Sequence, residues 1–357
     1  MNGQWIGRFS GSSSGIIIIE LDDMGKHYEG WVYVYEDDPA TVGIAAKITT
    51  PNKADTFNNL QLSLCPTELR QGISLPSKAE VNMSYNGQTL KVDWKTDWET
   101  FGSSEITKTQ AAAPSEYIPL SDVSNWELFK EFVNNLNHRQ FIFRGQSLTK
   151  RLRTSFHRTR RADLHKFIMQ DIPTLHRHLS LRTSHIFNLE IGNENGAFFN
   201  LVQHHGYPTP LLDWTYSPFV SAFFAYHRLK NSEVEKAQSD EKVRIFIFDQ
   251  ELWRKDFNQV ERLAPARPHF SVLEFIAINN ERMIPQQAVS SVTNIDDIEA
   301  YIRSKETHEK QYLRIIDLPK AERPKVMREL STMGITAGSL FPGLDGACEE
   351  LRERFFS

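Results

Sequence analysis

Cysteine is nearly absent: Cys65 and Cys348 are the only two in 357 residues, and they lie far apart. That excludes a disulfide framework and a cysteine metal site, since both need several cysteines at fixed spacing. No run approaches the roughly 18 apolar residues that a membrane-spanning helix requires; Ile16-Ile17-Ile18-Ile19 is far too short. The basic-then-apolar pattern of a secretory leader is missing too, so a cytoplasmic location without a membrane partner is expected. Neither Gly-x-Ser-x-Gly nor a phosphate-loop pattern occurs, which disfavours acyl transfer at a nucleophile elbow and ATP hydrolysis at a P-loop. The pairs His176/His178 and His204/His205 lack the spacings of a zinc site, so no metal is expected. A formal net charge of −4 argues against non-specific coating of nucleic acid.

What is present has the balance of an ordinary folded protein, 40% hydrophobic and 24% charged, in a chain long enough for two domains. Residues 1–100 read as antiparallel strands forming a small all-β barrel or sandwich. The signals are the Ile16–Leu21 run, the alternation Trp31-Val32-Tyr33-Val34-Tyr35, and Asn86-Gly87 as a hairpin turn between Val81–Tyr85 and Leu90–Trp94. Trp5 reads as a plug for one end of a small core. Over residues 1–110 there are 9 Lys and Arg against 14 Asp and Glu, so this part is acidic while the remainder is nearly balanced.

Small and polar residues from Phe101 onward suit a linker over 101–116. The second domain, 117–357, mixes helix and strand signals and is expected to be α+β. Ser124 and Glu127 have capping-box spacing before a helix Trp126 to Leu136. Strands are expected over Gln140–Arg144, Val243–Phe248, Ala288–Thr293 and Tyr312–Leu318. Helices are expected over Asp163–Leu179 and Lys320–Met333, the latter stopped by Gly334.

The densest stretch is Gln203 to Pro218. A helical run, Phe198 to Val202, ends at Gly206, which can adopt the left-handed cap. Leu211-Leu212 reads as a short buried strand, and Ser217-Pro218 supplies an N-cap hydroxyl and a first-turn proline for the helix Phe219 to Tyr226. Asp213, Trp214, Thr215 and Ser217 therefore sit at a strand-to-helix junction, where free N–H donors favour ligands. Upstream, Phe143-Arg144-Gly145-Gln146 ends a strand in an arginine beside a glycine. Such an arginine suits a bidentate phosphate or carboxylate contact, with the glycine letting a ligand come close; a buried structural salt bridge is the equal alternative.

Lys150, Arg151, Arg153, Arg158, Arg160 and Arg161 crowd into a dozen residues without an acid, which would attract a phosphate-rich partner or simply form a solvated face. His204 and His205 could serve as proton-transfer groups beside Asp213, or bond the last carbonyls of their helix. Gln286-Gln287 precede a strand, and their amides can hold a hydroxyl without acting as a base.

Together, Phe143-Arg144-Gly145-Gln146, Gln203-His204-His205-Gly206, Leu211 to Thr215, Ser217-Pro218, Gln286-Gln287-Ala288 and Leu340 to Gly346 resemble the FRG domain over roughly Trp126 to Phe355. The order Arg144-Gly145, then Thr215 and Ser217 before Ala222-Phe223-Phe224-Ala225, then Gln286-Gln287, is also similar to ADP-ribosyltransferases. That resemblance implies a mixed sheet with helices and NAD as substrate. It puts Arg144 on an NAD phosphate with Gly145, Gln146 and His204 beside it, Thr215 and Ser217 around the nicotinamide ribose, and Tyr216 or Phe224 stacked on nicotinamide. His205, Asp213 and Gln287 join Arg144 and Thr215 as the implied catalytic set.

Gln287 stands where those enzymes carry a glutamate, and a neutral amide cannot stabilise a developing cation unless Asp213 or Glu281 substitutes. The implied protein is an effector of the stress- or phage-defence type. It would be an ADP-ribosyltransferase or NAD glycohydrolase acting on a protein or nucleic-acid target, with the N-terminal domain as sensor or docking module. The alternatives are a non-catalytic module binding nucleic acid or protein through the Arg144–Arg161 face, and a hydrolase pairing His205 with Asp213.

Overall fold

A computed structural model of the chain describes residues 1–357 apart from 71, 73, 237, 239, 265 and 357. The first eight strands are β1 (Gly3–Gly11), β2 (Ser14–Asp23), β3 (Tyr28–Glu36), β4 (Ile44–Thr49), β5 (Thr56–Pro66), β6 (Lys78–Tyr85), β7 (Thr89–Thr96) and β8 (Phe101–Thr107). They close into an antiparallel barrel in sequence order. Alternation drives it: Ile17, Ile19 and Leu21 point inward with Trp5, Phe57, Met83 and Leu90, and Trp5 meets Tyr85 edge-on, as a core plug should. Gly87, at φ 97, makes the hairpin turn between β6 and β7.

The linker expected from Phe101 instead begins with β8, which pairs with β7 along its length and with β1 at Ser10 and Gly11 to close the barrel. Its inward positions are Gly102, Ser104 and Ile106. Small residues are needed there, because a Cβ on Gly102 would lie 2.2 Å from the Trp94 ring.

The second part contains a six-stranded sheet of β9 (Phe141–Gln146), β10 (Leu211–Thr215), β11 (Lys242–Asp249), β12 (Phe270–Leu273), β13 (Ala288–Thr293) and β14 (Leu313–Pro319), in the order β12-β13-β10-β9-β11-β14. Every neighbouring pair is antiparallel, which corrects the expected mixed sheet. One face packs on helices Trp126–Asn134, Pro218–Tyr226 and Arg323–Thr332. The first of these is capped by Asn125, whose Oδ1 accepts from Leu128 N at 3.0 Å, and not by Ser124. The expected helix Asp163–Leu179 is interrupted by a π-turn over Phe167–Asp171, just before Pro173, which has no N–H to donate. Gly206 and Gly334 both end helices with positive φ, as expected.

The barrel docks through the outer face of β1 to β3. Glu20 accepts from Gln4 Nε2 at 3.0 Å and from Leu164 N at 3.2 Å, while Asp22 accepts from Ala162 N at 2.6 Å and Asp163 N at 3.2 Å. Two barrel carboxyl groups thus meet the N–H groups that open a helix of the second domain, whose first donors have no partner within the helix. Trp31 stacks on His165, ring centres 3.9 Å apart.

Candidate functional site

Strand β9 lies between β10 and β11 but is held unequally. It pairs with β11 from Phe141 through Gln146, and with β10 at a single position, Thr215 opposite Phe143. β10 is zipped to β13 along its whole length. Beyond Phe143 the two central strands therefore part, and Arg144 fills the wedge: its Nη1 donates to the Asp213 carbonyl at 2.6 Å. The Nε of Arg144 is buried and has no hydrogen-bond partner. Burial pulls the pKa of this guanidinium down to about 10, Asp213 raising it and Arg158 lowering it further; it remains a cation at neutral pH.

Asp213 is positioned from the other side. Gln203, at the end of the helix Gly192–His204, donates from Nε2 to Asp213 Oδ1 at 2.5 Å and accepts the Thr209 hydroxyl on its Oε1. Arg158 closes the short helix Ser155–Arg158, whose Phe156 N donates to Thr209 O at 3.0 Å. Arg158 is exposed as a whole residue, its guanidinium has no side-chain partner among the described residues, and desolvation beside the neighbouring chain and Arg153 lower its pKa while Asp213 raises it. Arg153 is bound to Asp296. Three guanidiniums thus stand against two carboxylates, an excess of one positive charge beside β9.

Neither Gln203 nor Arg158 stood among the site residues expected from sequence. The signal for Gln203 was its place in the Gln-His-His-Gly run; Arg158 was indistinguishable from the other arginines of the basic run. That run does not form one face. Arg151 binds Asp297 at 2.9 Å and Glu116 at 2.7 Å, and Arg161 binds Asp22 at 3.2 Å and also Asp171.

The remaining site residues fall into a second group. Thr215 donates to Gln286 O at 2.7 Å and accepts from Ser217 N at 3.0 Å, while Ser217 Oγ accepts from Val220 N at 3.2 Å, so both hydroxyls are occupied in shaping the junction. Gln286 is buried and donates to Leu340 O at 2.9 Å. Gln287 is exposed, with φ at 45, and its carbonyl accepts from Tyr216 N at 3.1 Å. A non-glycine residue held in the left-handed region stores strain of the kind found at functional sites.

Tyr216 donates to Glu274 at 2.6 Å beneath the Arg139 guanidinium, 4.1 Å from the ring centre. Phe224 packs against Phe223 and Phe341. His204 Nδ1 contacts Asn280 Oδ1 at 2.9 Å. His205 is exposed, and no hydrogen bond joins it to Asp213, so the acid–base pair of a hydrolase is not assembled.

Gly145 has a different task from the expected one. A Cβ there would lie 1.8 Å from Ser221 O, so the glycine admits the helix Pro218–Tyr226 against β9 and not a ligand. Gln146 donates to Lys150 O at 3.0 Å, closing the loop after the strand.

The FRG domain family profile matches residues 139–234, so this part of the chain carries an FRG domain. The match includes Arg144, Arg158, Gln203, Asp213 and Phe224, and ends before Gln287. No curated protein and no solved structure matches the chain.

Proposed function

We propose that the FRG domain binds a phosphate-bearing nucleotide of the NAD type at the wedge between β9 and β10, with Arg144 and Arg158 as the phosphate clamp. The observation that carries this reading is the pair of unfilled guanidinium positions: Arg144 keeps a buried Nε without an acceptor, next to an Arg158 without a partner. A bidentate oxyanion would satisfy both. The basic-face module is the weaker reading, because Arg151, Arg153 and Arg161 are already spent on Asp297, Asp296 and Asp22.

Turnover of NAD would break the bond between nicotinamide nitrogen and ribose C1′, with water or a target nucleophile forming the new bond and nicotinamide leaving. Asp213 is the acid nearest the clamp, whereas Gln287 contributes only hydrogen bonds. Calorimetric titration of the full chain with NAD and ADP-ribose, alongside an assay for free nicotinamide, tests the proposal. Saturable binding lost in both Arg144→Ala and Arg158→Ala supports the clamp, and nicotinamide release that follows the same pattern supports the transferase class. Absence of binding of either nucleotide to the folded chain overturns it.

A further inference from the structure

We propose that the barrel holds a short alkyl or acyl group in an apolar cavity whose mouth lies at Val32, Val34, Ile44 and Leu64. This inference concerns the other domain and does not rest on the nucleotide reading.

The cavity measures about 60 Å³ and is lined by Ile19, Val32, Ile44, Leu62, Met83 and Trp94, among others from β2 to β7. Register confirms that these residues point inward: Val32 stands opposite Ile19, and Val34 opposite both Ile17 and Ile44. Among the described residues, Thr96 supplies the one polar side chain of the lining, and its hydroxyl is already joined to that of Thr100 at 2.7 Å. Water in such a space forfeits hydrogen bonds without replacement, whereas apolar cavities stay dry and accept apolar molecules. On this scale one water needs about 10–15 Å³ and a cavity of about 150 Å³ takes benzene, so the room suits only a short chain.

β4 and β5 share only Ile44, Ala45 and Ala46 with Leu64, Cys65 and Pro66, and beyond those rungs Ile48 and Leu62 line the cavity as buried side chains. On its other side β5 stays bonded to β6, with a bulge between Phe57 and Leu60 that turns the strand. The inward side chains Val32, Val34, Ile44 and Leu64 are only half-buried, whereas Trp5, Leu90 and Ile106 elsewhere in the interior are fully buried. The cavity thus opens to solvent beside these four side chains, and an alkyl group seated there removes their exposed apolar surface from water.

The test is a titration of the full chain, carrying labelled Ile, Leu and Val methyls, with 1-alkanols from butanol to nonanol. The expected result is saturable one-to-one binding with shifts at Ile19, Val34 and Leu62. Affinity should rise about fourfold per added methylene and level off within the series, once the cavity is full. Ala79→Leu, which fills the space from β6, is expected to weaken hexanol at least about tenfold. Should that variant fail to fold, nuclear Overhauser contacts from hexanol to the Ile19 and Leu62 methyls in the unaltered chain decide the question. No shift of these methyls at saturating hexanol, or affinity that climbs through nonanol without levelling, overturns the proposal.

Discussion

Arg144 donates to the main-chain carbonyl of Asp213 at 2.6 Å, at the point where β9 and β10 cease to pair. The bond replaces a rung of the sheet with a cationic side chain, so a break in backbone pairing coincides with a buried guanidinium whose Nε lacks an acceptor among the described residues. Arg144→Ala is expected to destabilise the FRG domain by roughly 1–3 kcal/mol, because the Asp213 carbonyl loses its donor. Arg144→Lys should recover part of that stability without recovering nucleotide affinity, since an ammonium lacks the planar fork. Urea unfolding read beside calorimetry separates the two effects.

Arg158 gives the complementary case. With no partner to lose, Arg158→Ala should change stability by no more than about 0.5 kcal/mol. Its effect belongs on ligand affinity, with a loss of about tenfold or more for a doubly anionic phosphate. A variant that unfolds instead would reassign this arginine to the scaffold.

Gly145→Ala tests the packing assignment. The new methyl would meet the Ser221 carbonyl and the Ala225 amide, both backbone, so side-chain repacking cannot relieve it. A loss of about 3 kcal/mol or more in thermal unfolding is expected, or no folded protein at all. A neutral outcome would return the glycine to a ligand-facing role.

Docking of the barrel should depend on pH through Glu20. Burial raises its pKa to about 8, opposed by the hydrogen bonds from Gln4 and Leu164. The folded state then holds a proton that the unfolded chain releases near 4.5, so stability falls as pH rises from 4.5 to about 8. Asp163, raised to about 6, acts in the same direction at lower pH, while His157, His227 and His269, held near 4 by burial, act in the opposite one below their ordinary 6.5. Above pH 6.5 the histidines no longer oppose Glu20, and the amino terminus, lowered from 8.0 by burial, still does. Unfolding midpoints at pH 6.5 and 8 should differ in the native chain, and Glu20→Gln should flatten the slope. An equal slope in the variant would refute the assignment.

Turns, caps and strand alternation are legible in the sequence itself. Asn86-Gly87, Gly206 and Ser217-Pro218 specify backbone angles and hydrogen bonds among residues a few positions apart, so sequence alone carries them. β8 is not legible in that way: Gly102 and Ser104 look like linker residues until Trp94 is seen to need the room they leave.

The chemistry divides along the same line. Residue order placed Arg144, Gln203, Asp213 and Ser217 in an FRG domain and set the barrel apart as an acidic, strand-rich unit. Tertiary structure alone decided which charges remain available. Arg151, Arg153 and Arg161 find Asp297, Asp296 and Asp22 more than a hundred positions away in the chain, whereas Arg158 finds none among the described residues. Local conformation depends on neighbours in sequence, but compensation of a charge depends on neighbours in space, and those are chosen by the fold.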